Sequence, residues 1–350
     1  MRNVLGVRMR WNHSLAVVMC ACALQSAAAG ENSYRLLREI PIGGEGGWDI
    51  LTIDSPAKRL YLSHSTKVVV VDLAKGTVAG EIVDTPGVHG FVAVPELGRG
   101  FSTNGKEAKV SVVDLATLKT ISKVETGENP DALVYEPRHK QIYVFNHTGN
   151  SATVIDATSA KVVRTIPLAG SPEFAAIDSA AGRVYCNIED KSEVAVIDTA
   201  KYEVVARWPV APGEEPSGIA LDPAHHRLFS GCHNKMMVML DTESGKVVAT
   251  VPIGEHVDGC AFDEATQLVF ASCGEGVTTI AKEEAPDKLT VVQTLKTERG
   301  ARTIALDPAT HRIYLPTAKF GPAPTPGPNA PHWPAIIPNT MKLLVYGPGE

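Results

Sequence analysis

A short pattern, two apolar residues followed by aspartate, recurs along this 350-residue chain at an almost constant interval. Successive copies are 42, 42, 42 and 43 residues apart, and they end at Asp72, Asp114, Asp156, Asp198 and Asp241. An interval of this size is typical of a four-stranded propeller blade. Aspartate suits a turn between strands because its carboxylate accepts hydrogen bonds from backbone amides just downstream. The repeat therefore overrides the chain length, which alone would suggest two ordinary domains.

A second pattern, an apolar residue followed by an aromatic one, keeps the same interval and allows the strands to be counted. We predict seven first strands, which begin near Asp49, His89, Asp131, Glu173, Ser217, Asp258 and Arg302. The last repeat ends near residue 346 without a fourth strand, whereas residues 34–42 form an unassigned strand before the first repeat. We predict an all-β fold: a seven-bladed β-propeller of four-stranded blades, with the N-terminal strand completing the last blade and closing the ring.

Residues 1–29 have the features of a secretory signal peptide. Arg2, Arg8 and Arg10 precede an apolar run at residues 15–24, and alanines at 27–29 suit cleavage by a signal peptidase. The run is too short to span a membrane, which needs about 18 apolar residues. We expect a periplasmic or secreted protein with no transmembrane segment in the mature chain. A lipid anchor on Cys20 or Cys22 is the less favoured alternative.

Residues 34–347 are predicted to form a single propeller domain with two departures from the repeat. The sixth repeat has Ala281 where aspartate is expected, followed by a longer acidic turn at residues 282–288. The seventh repeat carries a proline-rich loop insertion at residues 316–338, because proline is incompatible with regular strand pairing. The insertion is either an irregular excursion or a cover over one face of the ring.

Charge and cysteine content restrict the partners and the redox chemistry. Without the leader the chain has 30 Lys and Arg against 39 Asp and Glu, a net charge of −9. We therefore expect no nucleic-acid partner. An oxidising periplasm would allow three disulfide pairings among Cys186, Cys232, Cys260 and Cys273. The sequence does not choose among them, and small buried residues on strands are the alternative, at least as strong for Cys186 and Cys260.

Three repeat phrases resemble those of the YVTN family of β-propeller repeat proteins: YLSH at residues 61–64, FSTN at 101–104 and YVFN at 143–146. The resemblance extends over residues 34–346 and implies the seven-bladed fold and an exported location. Related propellers include binding proteins, lactonases and subunits of electron-transfer dehydrogenases, so the fold does not choose the activity. The asparagine of the phrase is replaced in five blades, by His64, Ile188, Cys232, Cys273 and Thr317.

The repeat register predicts which polar residues share one face of the ring. Residues that start the first strands and residues that follow the second strands lie at the same channel mouth. The candidate ligand-binding residues are Asp49, His89, Asp131, Glu173, Asp258, Arg302, Trp48 and Trp333. The candidate metal ligands are His64, His147, His233 and His256, since imidazole beside carboxylate suits divalent transition metals. The same groups suit general acid–base catalysis.

The function expected from these features is that of an exported binding or scaffold protein, in preference to an enzyme. It would recognise an unknown small molecule or a periplasmic protein at the channel mouth, as a monomer and with no cofactor, a divalent metal being the alternative. Haem-attachment, nucleophile-elbow, zinc-protease and phosphate-loop motifs are missing from the sequence. Two alternatives remain: a periplasmic lactonase or other hydrolase at the same mouth, and an accessory subunit of an electron-transfer enzyme.

Overall fold

The computed structural model describes residue 1, residues 33–322 and residues 334–349. Residues 2–29 of the predicted leader, with Cys20 and Cys22, lie outside the described residues, and so does Trp333. The predictions that rest on them stay predictions. No helix in the described part of the chain is long and apolar enough to cross a membrane.

The described residues form 28 strands in seven sheets. The chain begins with β1 (Tyr34–Pro41). Blades 1 to 3 are β2 (Trp48–Asp54), β3 (Arg59–His64), β4 (Lys67–Asp72), β5 (Thr77–Ile82); β6 (Val88–Val94), β7 (Arg99–Asn104), β8 (Lys109–Asp114), β9 (Lys119–Glu125); and β10 (Pro130–Glu136), β11 (Gln141–Asn146), β12 (Ser151–Asp156), β13 (Lys161–Pro167).

Blades 4 to 6 are β14 (Pro172–Asp178), β15 (Arg183–Ile188), β16 (Glu193–Asp198), β17 (Glu203–Pro209); β18 (Pro216–Asp222), β19 (Arg227–Cys232), β20 (Met236–Asp241), β21 (Val247–Pro252); and β22 (Val257–Asp263), β23 (Leu268–Cys273), β24 (Val277–Ala285), β25 (Lys288–Lys296). Blade 7 has β26 (Ala305–Asp307), β27 (Arg312–Thr317) and β28 (Lys342–Pro348). Three short 3-10 helices lie between strands, at Pro95–Leu97, Gly105–Glu107 and Glu189–Lys191.

Blade 7 is completed by the N-terminal strand, as predicted. Its strand order is β1-β28-β27-β26, and β1 pairs antiparallel with β28 from Tyr34 opposite Pro348 to Pro41 opposite Lys342. The other six blades each contain four consecutive antiparallel strands. The seven-bladed β-propeller is thus confirmed, and so is the closure of the ring by β1.

The aspartates of the repeat close the turn after the third strand of five blades. In each blade the backbone amide three residues downstream donates to Oδ1 of the aspartate, at 2.6–3.0 Å. These bonds lower the pKa of the carboxyls, for example that of Asp114, where the amide of Thr117 is the main cause. The turns therefore have the chemistry that the 42-residue interval predicts.

The core lies between neighbouring blades, because each blade packs one face against the preceding blade and the other face against the following blade. In blade 3, β12 is buried at five of six positions, whereas the outer strand β13 is exposed at six of seven. The aromatic residues of the second repeat pattern fill these interfaces; Tyr61 and Phe91, for instance, stack with ring centroids 4.6 Å apart. This packing explains the near-continuous apolar runs of the inner strands.

Two details of the predicted departures need correction. The sixth repeat has no long acidic turn at residues 282–288: β24 and β25 extend to nine residues each and leave only Pro286 and Asp287 between them. The insertion begins after Thr317, because Pro316 and Thr317 still pair with β28, and it ends before Lys342. Its two described ends pair with each other through a bridge between Phe320 and Ile336.

Candidate functional site

The polar residues that start the first strands line one end of the central channel. First strands of neighbouring blades contact one another around the ring, so they are the innermost strands. Each ring residue is the second residue of its strand, except in blade 7, where it precedes β26. All of them lie in the wall of one cavity of about 670 Å³: Asp49, His89, Asp131, Glu173, Ser217, Asp258 and Arg302.

The backbone of three of these residues is held by polar side chains from the preceding blade. The donors are the third residues of the repeat phrases on the second strands, or their equivalents, and the bonds are 2.5–2.8 Å long. Thr103 donates to the carbonyl of Asp131, Asn187 to that of Ser217, and Ser272 to that of Arg302. The sequence analysis missed these residues; a small polar residue repeated just before the end of the second strand was the available signal.

Around half of the ring, basic and acidic side chains alternate. Arg302 forms an ion pair with Asp258, and its Nη2 is 3.9 Å from Oδ1 of Asp49. Nδ1 of His89 is 2.7 Å from Oδ2 of Asp49 and 3.7 Å from Oδ1 of Asp131. These side chains are between 16% and 33% exposed, so the charges are partly shielded from water and interact strongly.

The pKa values of His89 and Asp131 are shifted by this environment. Burial alone would lower the pKa of His89, but the hydrogen bond with Asp49 and the charges of Asp131 and Asp49 outweigh burial and raise it to about 9. Burial, followed by the charge of Asp49, raises the pKa of Asp131 to about 7, with His89 opposing. Perturbed pKa values of this kind concentrate at functional sites.

A second imidazole lies on the other side of Asp131. Nδ1 of His147 is 2.9 Å from Oε1 of Glu173. The contact with Glu173 is the main cause that raises the pKa of His147 to about 9. Two sets of three side chains thus share Asp131: Asp49 and His89 with Asp131, and His147 and Glu173 with Asp131. In each set the donor atoms lie within 4.8 Å of one another.

Apolar side chains complete the wall of this cavity. They include Trp48, Phe174 and Val257 from the first strands, with Phe320 and Ile336 from the two ends of the insertion. The rings of Trp48 and Phe320 are 6.2 Å apart, so the first end of the insertion packs against the mouth. The described ends of the insertion therefore lie at the mouth, and Phe320 and Ile336 add wall residues that the sequence analysis did not identify.

His64 does not belong with the metal candidates. Its side chain is buried, at 1% exposure, beneath the glycine-rich segment between β1 and β2. Its Nδ1 and Nε2 face the carbonyl oxygens of Gly47 and Gly43, at 3.0 and 3.2 Å. The same position in other blades holds Asn104 and Asn146, whose side chains bond to neighbouring serines. The repeat register gave the correct face, but this residue stabilises the loop.

The other two histidines line the cavity apart from the shared carboxylate. His233 contacts Glu189 and Glu215, with Nδ1 to carboxylate distances of 3.5 and 3.7 Å. His256 is also in the cavity wall. Among the described residues, neither is in a set of three donors within coordinating distance of one another. Of the four predicted metal histidines, only His147 is in such a set.

The four cysteines of the propeller are free thiols. Cys186, Cys232 and Cys273 are buried, and Cys260 is partly buried. Burial raises the pKa of the Cys186 and Cys260 thiols, the effect expected for unreactive core residues. The alternative of small buried strand residues therefore describes them, and none of the three disulfide pairings is present.

Comparison with solved structures supports the fold. A chain of Kuenenia stuttgartiensis hydrazine synthase superposes with a TM-score of 0.68 at 19% identity, over 77% of this chain and 92% of that one. A chain of a mitotic checkpoint complex superposes with a TM-score of 0.74 at 12% identity, over 99% and 98%. No family model and no curated protein matches the chain. At these identities the likeness shows the propeller fold alone, and membership of the YVTN family stays a prediction.

Proposed function

We propose that this protein is an exported binding propeller that takes a small molecule into its channel mouth. The observation that carries the proposal is the cavity of about 670 Å³, whose wall combines the polar ring residues with apolar side chains. Small-molecule sites typically combine an apolar concavity of about 300–1,000 Å³ with a few oriented polar groups. The features of residues 1–29 support export, which mass measurement of the mature N-terminus would test.

The charges of the mouth favour a ligand that carries amino or hydroxyl groups. The carboxylates of Asp49, Asp131, Glu173 and Asp258 outnumber the cations beside them. Arg302 is paired with Asp258, His89 with Asp49 and His147 with Glu173, so the carboxylate of Asp131 is in excess. An anionic ligand is repelled by such a surface. Trp48 and Phe320 offer aromatic faces in the wall of the same cavity. We therefore propose a ligand with a ring or other apolar body and an amino- or hydroxyl-bearing end.

Thermal unfolding with three aromatic probes tests this proposal. Benzylamine is cationic, phenyl β-glucoside is neutral and rich in hydroxyls, and phenylacetate is anionic. We expect at least one of the first two to raise Tm in a saturable manner, and phenylacetate to have no effect. Equal shifts with all three probes, or none with any, would contradict the proposed specificity.

Two adjacent isoleucines provide a matched pair of variants for the same experiment. Ile336 lines the cavity, whereas Ile337 is 42% exposed and does not. Ile336→Ala should weaken the binding of the probe that is active on the parent protein, because it removes part of the apolar wall. Ile337→Ala should leave that binding unchanged. Identical titrations of the two variants would place the ligand outside this cavity.

Hydrolysis at the same mouth is the second candidate function, and one observation favours it. Asp131 lies between the imidazoles of His89 and His147, where a carboxylate and a histidine can share proton transfer. Dihydrocoumarin and 4-nitrophenyl acetate are suitable probes for lactone and ester cleavage. Activity that Asp131→Asn abolishes and the exposed-turn variant Asp287→Asn retains would establish this function. No turnover by the parent protein would exclude cleavage of these esters and leave the binding function.

A further inference from the structure

We infer that the channel mouth holds two divalent transition-metal ions bridged by the Asp131 carboxylate. The first ion would lie between Asp49, His89 and Asp131, and the second between Asp131, His147 and Glu173. The inference deepens the proposed function, because it places both ions in the cavity that receives the small molecule.

The spacing of the donor atoms suits coordination. Nitrogen and oxygen ligands bind zinc at about 2.0–2.2 Å, so that neighbouring ligands of one ion are separated by roughly 3–3.6 Å. In the first set, Nδ1 of His89 is 2.7 Å from Asp49 and 3.7 Å from Asp131. In the second, Nδ1 of His147 is 2.9 Å from Glu173. All donors of each set lie within 4.8 Å of one another, so small side-chain adjustments suffice.

The orientation of His147 points to a ligand other than the carboxylate beside it. Nδ1 of His147 is buried and close to Glu173, yet among the described residues it has no hydrogen-bond partner of acceptable direction. Two donor atoms held close together without a directed hydrogen bond are arranged like two ligands of one ion. Buried polar atoms are otherwise nearly always hydrogen-bonded in proteins.

The Nε2 side of the His89 ring has a polar neighbour of the kind that orients metal-binding histidines. Its Nε2 and Oδ1 of Asn129 both face Gly105, and the Asn129 side chain helps to raise the pKa of the imidazole. An acceptor at Nε2 keeps a proton on that nitrogen, so that the ion would displace the proton that Nδ1 shares with Asp49 and bind at Nδ1. Such an outer partner usually orients a ligating imidazole.

Asp131 is suited to bridging because it belongs to both sets and has two oxygens. Ions bridged in this way lie about 3.5–4 Å apart in two-metal sites. Three carboxylates and two neutral imidazoles give the ligand set a charge of −3 against +4 for two divalent ions. The carboxylate of Glu189 in the same cavity wall offsets the remaining positive charge, and a hydroxyl or neutral amino group of the small molecule could complete the coordination. Mixed imidazole and carboxylate donors favour zinc, manganese or iron over calcium.

Metal stoichiometry on the intact mature protein tests the inference. The protein is treated with EDTA, dialysed and titrated with Zn²⁺, and bound metal is measured by calorimetry and elemental analysis. We expect two ions per chain for the parent protein and for the exposed-turn variant Asp287→Asn. Asp131→Asn should lose both ions, whereas Asp49→Asn and Glu173→Gln should each retain one. Zero or one ion on the parent protein, or two ions on Asp131→Asn, would overturn the inference.

Further measurements separate a misfolded variant, and a wrong function, from a wrong metal site. If Asp131→Asn does not fold, the two single-set variants still decide, because each must drop from two ions to one. Co²⁺ substitution supplies a spectroscopic readout. The absorbance of the visible bands of cobalt bound by imidazole and carboxylate should be about half as strong in Glu173→Gln as in the parent protein. If a probe binds in the presence of EDTA and the protein does not bind Zn²⁺, the proposed function stands and the metal site is wrong. If the protein binds Zn²⁺ and no probe, the metal site stands and the proposed function is wrong.

Discussion

At the scale of single residues, the third position of the repeat phrase links neighbouring blades. Oγ1 of Thr103 in blade 2 accepts from the amide of Gly90 at 2.9 Å and donates to the carbonyl of Asp131 in blade 3 at 2.6 Å. Both partners lie next to the channel. This hydroxyl therefore fixes the backbone of the residue that we propose as the metal bridge, although it does not face the cavity itself.

Replacing this hydroxyl should destabilise the protein. Thr103 is fully buried, so Thr103→Val leaves the carbonyl of Asp131 and the amide of Gly90 without a partner and should lower the free energy of unfolding by about 2 kcal/mol. Thr120→Val is the matched control, because the Thr120 hydroxyl is buried with no hydrogen-bond partner among the described residues. Urea denaturation measures both. A control as destabilised as Thr103→Val would show that the methyl substitution, not the hydrogen bond, matters.

The sequence predicts which residues reach the mouth but not which way their side chains point. The 42-residue register places Asp131 and His64 on the same face, and both are there. Asp131 starts an innermost strand and faces the channel, whereas His64 ends a second strand and faces the loop between β1 and β2. That difference depends on the packing of neighbouring blades, which the period of the repeat does not encode.

At the scale of elements, the sixth-blade hairpin differs from the others because it buries an acid. Glu283 on β24 is only 6% exposed and lies beside Asp222 and Arg227 of blade 5. The sequence predicted a longer acidic turn at residues 282–288, after Ala281 in place of the repeat aspartate, and lysine and glutamate are indeed uncommon in strands. Packing against the neighbouring blade outweighs that local preference, so both strands continue to nine residues.

Glu283 should make stability depend on pH. Burial, followed by the charge of Asp222, raises its pKa to about 7 from an ordinary value of 4.5, with His225 opposing. The folded chain thus keeps a proton that the unfolded chain releases. This contribution to stability is complete below pH 4.5 and is lost as the pH rises towards 7, with a slope of up to about 1.4 kcal/mol per pH unit.

Glu283→Gln should remove that part of the pH dependence. Its free energy of unfolding relative to the parent protein should rise between pH 5 and pH 7, as measured by urea denaturation at each pH. Glu284→Gln is the control, because Glu284 is exposed and pairs with Lys288. A constant difference between Glu283→Gln and the parent across this range would show that Glu283 has an ordinary pKa in the folded protein.

At the scale of the whole molecule, β1 joins the two ends of the ring. Its backbone pairs with β28, Tyr34 exchanges hydrogen bonds with the Gln293 side chain of blade 6, and Arg38 donates to the carbonyl of Leu73 in blade 1. The repeat predicted this closure because one strand at each end of the chain lacked a partner. An open ring would expose strand edges, which are prone to aggregation.

If β1 stabilises the closed ring, its buried side chains should contribute as much to the free energy of unfolding as core residues of the other blades. Ile40 is 1% exposed and packs in the cluster with Leu343 and Val345, whereas Leu36 on the same strand is 46% exposed. Ile40→Ala should lower the free energy of unfolding by about 3 kcal/mol, because it leaves a cavity between blades. Leu36→Ala should cost less than about 0.5 kcal/mol. Hydrogen exchange should also be faster at the β28 amides of Ile40→Ala than at those of Leu36→Ala, because loss of β1 leaves β28 at an open sheet edge. If the two variants lost equal free energy of unfolding and exchanged at equal rates, the other six blades would hold the ring closed without this strand.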